Sequence, residues 1–126
     1  MAKISIQQNP TFKVDVEIPR IGDKAVKVPF VFAYLNRDEL AEFADASLRN
    51  GKELRGLIEK EGTIRELSGV SEDFQVGQLQ QIVKGWGFDD ELNEENIRAL
   101  VRSYAAVPDA IVMAYQESYN QARKGN

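Results

Sequence analysis

The residues best placed to do chemistry lie between positions 85 and 97. There the chain sets its only tryptophan between two glycines and follows it with a dense acidic run, Gly85-Trp86-Gly87-Phe88-Asp89-Asp90-Glu91-Leu92-Asn93-Glu94-Glu95-Asn96-Ile97. Asp89, Glu91, Asn93 and Glu95 alternate as hard oxygen ligands would in a calcium loop. Such a loop also needs glycine at its sixth position and a bidentate acid at its twelfth. Counted from Asp89, those positions hold Glu94 and Leu100, so the pattern fails. Gly85-Trp86-Gly87 opens like a dinucleotide fingerprint, but Asp90 stands where the third glycine belongs and a helical pattern precedes it where a strand is required. No G-x-x-x-x-G-K-[ST] string occurs anywhere. What remains is a solvated acidic turn feeding a helix start, where the dipole favours carboxylates.

Composition removes most other chemistry. The 126 residues contain no cysteine and no histidine. Disulfides, thiolate metal sites, Ser-His and Cys-His nucleophiles and the usual neutral-pH base are therefore absent. Carboxylate pairs are abundant and single out none, so no enzyme, cofactor or metal site is expected. Sixteen Lys+Arg against twenty Asp+Glu give a net charge of −4, which does not suit a nucleic-acid binder. The longest apolar run, Val28 to Leu35, is too short for a membrane span and contains Pro29. The first eight residues lack the apolar block of a secretory signal, so a cytoplasmic location is expected. A hydrophobic fraction of 43% in a chain this long fits one domain over 1–126, with a β-hairpin region over 1–35 and a helical region over 36–126.

The elements that must position these residues follow from periodicity. Phe12, Val14, Val16 and Ile18 alternate with Lys13, Asp15 and Glu17, predicting a strand with one wet face. Pro19 ends it, and Ile21-Gly22-Asp23-Lys24 reads as a turn. Val26, Val28, Phe30, Phe32 and Tyr34 form one face of a second strand, in which Pro29 points to an edge position or a bulge. Ile4 and Ile6 suggest a short third strand. Asn36-Arg37-Asp38-Glu39 opens a helix that carries Leu40, Phe43, Ala44 and Leu48 and stops at Asn50-Gly51; this helix is expected to cover the hairpin. Residues 52–70 read as short helical turns broken near Gly62, with a capping box at Thr63 and Glu66, and as a segment that orders on binding. A further helix begins at Ser71 or Asp73. It carries Leu79, Ile82, Val83 and Trp86 on one face and ends at Gly85-Trp86-Gly87. Asn93 caps the next, with Ile97, Leu100, Val101 and Tyr104 on one face. The last starts near Val107-Pro108-Asp109, presents Ile111, Tyr115, Tyr119 and Ala122, and stops at Gly125. The fold class is α+β and mainly helical: an N-terminal antiparallel β-hairpin packed on a bundle of four to five helices.

Five aromatic residues are the candidates for a partner-binding or structural-signature role: Trp86, Phe88, Tyr104, Tyr115 and Tyr119. An indole at the end of an amphipathic helix either locks two helices as core or stands exposed as an anchor. The tyrosines carry the same two readings. The hairpin edge, guarded by Pro29 and by Lys13, Asp15 and Glu17, either closes on its own helix or pairs with a second copy.

The C-terminal half resembles the tail assembly chaperones of long-tailed bacteriophages. The resemblance is carried by Ile82-Val83-Lys84-Gly85-Trp86, Asp89-Asp90-Glu91, Asn93-Glu94-Glu95-Asn96-Ile97, Leu100 and Tyr104. Pro108-Asp109-Ala110-Ile111, Ala114-Tyr115 and the ending Ala122-Arg123-Lys124-Gly125-Asn126 extend it. Pro29-Phe30-Val31-Phe32 and Arg37-Asp38-Glu39-Leu40 are similar to that family's strand-then-helix opening. The resemblance implies a non-catalytic morphogenesis factor, an oligomer along its client. Its partners would be the tape measure protein, kept soluble, and the tail tube protein, recruited around it. It also implies two product lengths from a ribosomal frameshift, with this chain as the short one. The alternative is a structural tail or connector subunit, or another small oligomeric binding module.

Overall fold

The computed structural model describes Ile6 and residues 11–123. Ile4 of the expected extra strand and the C-terminal stop at Gly125 lie outside the described residues, and Ile6 sits exposed at a bend.

Two strands, β1 (Thr11–Arg20) and β2 (Asp23–Ala33), form the predicted antiparallel hairpin. The register runs from Thr11 opposite Ala33 to Arg20 opposite Asp23, with an irregularity at Pro19, which cannot donate to the ladder. Ile21 and Gly22 make the turn, and Gly22 takes the left-handed φ of +72° that a side chain would resist. Val16, Ile18, Val28, Phe30 and Phe32 are buried on one face, while Lys13, Asp15, Glu17 and Lys27 are exposed on the other.

Among the described residues four helices follow: α1 (Arg37–Glu59), α2 (Ile64–Ile82), α3 (Glu94–Ser103) and α4 (Ala106–Arg123). Three of the expected helix starts are present as drawn. Asn36 and Glu39 form a reciprocal capping box, as do Thr63 and Glu66, and the Asn93 side chain accepts from the Asn96 N–H. Each such cap contributes about 1 kcal/mol.

The middle of the chain departs from the sequence reading. Instead of stopping at Asn50-Gly51, α1 continues to Glu59. The predicted short turns over 52–70 are the second half of α1 and the first half of α2. The break near Gly62 is real. Glu61 adopts φ 59°, and the Gly62 N–H donates to the Leu57 carbonyl at 2.8 Å. Glycines 51, 56, 69 and 77 therefore lie inside helices, each costing about 1 kcal/mol relative to alanine. Pairing of α1 with α2 along their length overrides those local preferences.

A strand, β3 (Val83–Trp86), replaces the expected end of the third helix. It pairs antiparallel with β2, Phe30 opposite Trp86 and Phe32 opposite Val83, with an irregularity between them. The sheet order is β1-β2-β3, so the strand holding Pro29 is central rather than at an edge. Pairing with β3 starts only at Phe30, which leaves Pro29 just beyond that ladder.

The helix that covers the hairpin is also not the expected one. α4 lies along β1, and α2 packs beneath β2 and β3. α1 buries none of its residues fully; only Leu40 and Phe43 near its start pack against the core. The core joins the sheet face to Val76, Leu79 and Ile82 of α2, Ile97 and Val101 of α3, and Val107, Ile111 and Tyr115 of α4. Burying a side chain of this size contributes about 2 kcal/mol.

Candidate functional site

The glycine–tryptophan stretch passes from helix to strand without a loop. Val83 caps α2 with its N–H on the Leu79 carbonyl and already has extended angles. The two glycines have a steric reason. A Cβ at Gly85 would press on Val31 at 3.3 Å, and one at Gly87 would meet the Pro29 ring at 2.5 Å. Trp86, between them, points to the other side and packs edge-on against Phe30 and Phe88, with centroids 6.5 and 5.1 Å away. Its Nε1–H donates to the Asp90 carbonyl at 2.8 Å, which curls the acidic turn back over the strand. Asn96 then donates through Nδ2 to the Glu91 carbonyl at 2.7 Å. The indole thus pins a strand to the turn that leads from α2 into α3.

The five aromatic candidates separate into two groups. Trp86, Phe88 and Tyr104 border neighbouring grooves along α3 of about 270 and 380 Å3, with Phe88, Leu100 and Ser103 common to both. Trp86 and Phe88 are half-buried, and Tyr104, just past the end of α3, is 38% exposed. Tyr115 and Tyr119 lie on α4 beneath the hairpin, among Phe12, Phe32 and Tyr34. Tyr115 is buried and donates its hydroxyl to the Ala33 carbonyl at 3.1 Å; Tyr119 donates to Leu35 at 2.9 Å. Burial, and then the neighbouring Tyr119, push the Tyr115 phenol well above its ordinary pKa. Both tyrosines tie α4 to the end of β2.

A second surface went unrecognised in the sequence. α1 and α2 enclose a groove of about 460 Å3 bordered by Ala46, Asn50, Val70, Phe74 and Gly77. It continues toward the α1–α2 turn as a groove of about 600 Å3 bordered by Gly56, Leu57 and Gly69. Glu53, Val70 and Asp73 belong to both. From Glu42 to Lys60 the two run roughly 27 Å at the helical rise per residue. Near the turn, Ile58 and Ile64 are also exposed, at 61% and 81%. The local signal was the run of glycines within a helical pattern, which reads equally well as a broken segment.

Charge fastens α2 to α3. Glu72 accepts from Arg102 at 2.6 Å and from Arg98 at 2.7 Å, and Arg98 also reaches Asp73 at 2.8 Å. The hydrogen bond from Arg102, then that from Arg98, holds the Glu72 carboxyl below the usual carboxylate range. Glu66 is lowered by the backbone N–H and then the hydroxyl of Thr63 in the capping box.

Among the described residues, no helix is long and apolar enough to cross a membrane. No curated protein and no solved structure matches the chain significantly. A family model described as phage tail assembly chaperone matches residues 1–126, the whole sequence. The chain belongs to the phage tail assembly chaperone family.

Proposed function

We propose that this protein is a non-catalytic chaperone of tail assembly. It works in the host cytoplasm as a single domain, binds the tape measure protein, keeps that long helical chain from aggregating and helps bring tail tube protein to it. The family match over the full length carries this reading. Two surface features suit it: apolar rims exposed beside α3, and a long groove between α1 and α2. Both are shapes that receive extended or helical protein segments rather than small substrates. Several copies along one client would multiply a modest affinity per site.

Within this reading, Tyr115 and Tyr119 serve the scaffold, while Phe88, Tyr104 and the exposed rim of Trp86 touch the partner. Co-expression with the cognate tape measure protein tests the function. The expected result is that the tape measure protein moves into the soluble fraction and the two co-purify. Unchanged solubility and no complex would reject it. Recovery of this chain as a stoichiometric component of purified particles would favour a structural tail or connector subunit instead. Tyr104→Ala should weaken the complex while leaving the melting temperature within a few degrees, since it removes an exposed ring.

A further inference from the structure

We propose that the outer face of α1 is a self-association surface, on which two copies of this chain pair their α1 helices antiparallel about a two-fold axis at Leu48. This pairing does not depend on the tail-assembly reading. α1 packs on α2 along one side, where Phe43, Ala46, Asn50 and Leu57 are part-buried. At about 100° per residue, the opposite side carries Leu48 at its centre, with Arg37, Asp45, Lys52, Arg55 and Glu59 within about 60° of it. All six are exposed, Leu48 at 66%. Among the described residues, none of the five charges has an ion-pair partner.

The order of those charges points to a second copy of the same helix. Leu48 is the middle residue of α1: Arg37 lies eleven positions before it and Glu59 eleven after, Asp45 three before and Lys52 four after. Reversing the helix therefore puts an acid where a base stood at one end, and a base where an acid stood near the centre. In an antiparallel pair, Arg37 faces Glu59 of the second copy and Asp45 faces its Lys52. The two-fold axis repeats both contacts, as an isologous interface requires. Arg55, seven positions after Leu48, falls over Ala41, seven before, so no like charges meet and its stem covers a small side chain. The two Leu48 side chains meet on the axis and remove each other from water. A parallel pair would set every charge against its own kind. A face that serves solvation alone needs charges, not this order of them. With roughly eight residues a side against the usual 20–30, the dimer is a weak one, dissociating in the micromolar range or above. Copies held along one extended client would close it by proximity.

Sedimentation equilibrium of the full chain, with no client present, tests the pairing. The weight-average mass of wild type should climb from one chain toward two between micromolar and millimolar concentration. Asp45→Lys sets lysine against lysine at both central contacts, and Lys52→Asp sets aspartate against aspartate. Each should raise the dissociation constant about tenfold or more. Mixed in equal amounts, the two variants are complementary at both contacts, so the dimer should return as a one-to-one heterodimer. Both positions are exposed, and circular dichroism checks that the helices are retained. The chain has no cysteine, so Leu48→Cys places a single thiol on the axis and Lys27→Cys a control on the outer face of the sheet. Mild oxidation should link Leu48→Cys into a covalent dimer faster than Lys27→Cys. A wild type that stays monomeric to millimolar concentration overturns the proposal. So does association that the single swaps leave unchanged or that mixing fails to restore. None of these outcomes decides whether the chain binds the tape measure protein, which the co-expression experiment reads separately.

Discussion

The two ends of α2 are held in different ways. Toward its C-terminus, Val76, Leu79 and Ile82 are buried between the sheet and the other helices. Toward its N-terminus, no residue from Ile64 to Gln75 is fully buried, and the helix rests on α1 with a capping box at its start. One end is fixed by dense tertiary packing, the other by local helix chemistry, by α1 and, at Glu72 and Asp73, by ion pairs to α3. Stability concentrated at one end leaves the groove between α1 and α2 at the other unfilled by the chain's own side chains. The acidic turn belongs with the packed end. Trp86 and the two glycines weld it to β2.

The contrast should be widest for large side chains. Trp86→Ala removes an indole that touches Phe30 and Phe88 and a hydrogen bond to Asp90, and should cost about 3 kcal/mol in denaturant unfolding. Ile64→Ala, at the exposed tip, should change stability by less than about 0.5 kcal/mol. Equal losses would mean that the tip is packed as tightly as the strand, and the division of α2 would fail.

A finer version uses the same substitution at two glycines. Gly87→Ala drives a methyl into the Pro29 ring, where the nearest atoms would stand 2.5 and 2.6 Å away. Relief requires β2 and the turn to part, and the expected loss is about 2 kcal/mol. Gly69→Ala places the same methyl in open space within a helix and should stabilise by up to about 1 kcal/mol. Thermal melts of both variants read the sign directly; a loss at both sites would show that the α1–α2 groove is already occupied by something within the molecule.

What the sequence disclosed follows the same division. Signals confined to a few neighbouring residues were legible: the alternation along β1 and β2, the boxes at Asn36 and Thr63, the cap at Asn93, and Pro108 in the first turn of α4. Signals that need a distant partner were not. β3 is a strand only because β2 offers it an edge, and Val83 and Trp86 fit a helical face just as well. α1 passes Gly51 because α2 lies alongside it, whereas glycine alone reads as a stop. The spacing of Gly85 and Gly87 by two residues was the available clue to a strand pressed against its neighbour. On α4, Tyr115 and Tyr119 were legible as one face, but their hydroxyl partners lie 82 and 84 residues back along the chain. Among the five aromatic candidates, proximity in space groups three around α3, and nothing in their order along the chain predicts that.

The smallest expected effect concerns the salt-bridged seam between the two ends. Glu72 sits near the middle of α2 and grips Arg98 and Arg102 on α3. Its folded pKa is depressed, so its contribution is fully present above the ordinary glutamate range and is lost as pH falls through the folded value. The arginines stay charged throughout, so the carboxylate alone sets the window. Glu72→Gln keeps the shape and removes the charge. Its melting temperature should lie below wild type at neutral pH, and the gap should close as the pH drops below about 4. Because Arg102 is largely exposed, the gap at neutral pH should also shrink in high salt. A gap that stays constant from neutral to acid would mean that Glu72 holds α3 by shape and hydrogen bonding rather than by charge. The packed end of α2 would then begin one turn earlier than its buried residues suggest.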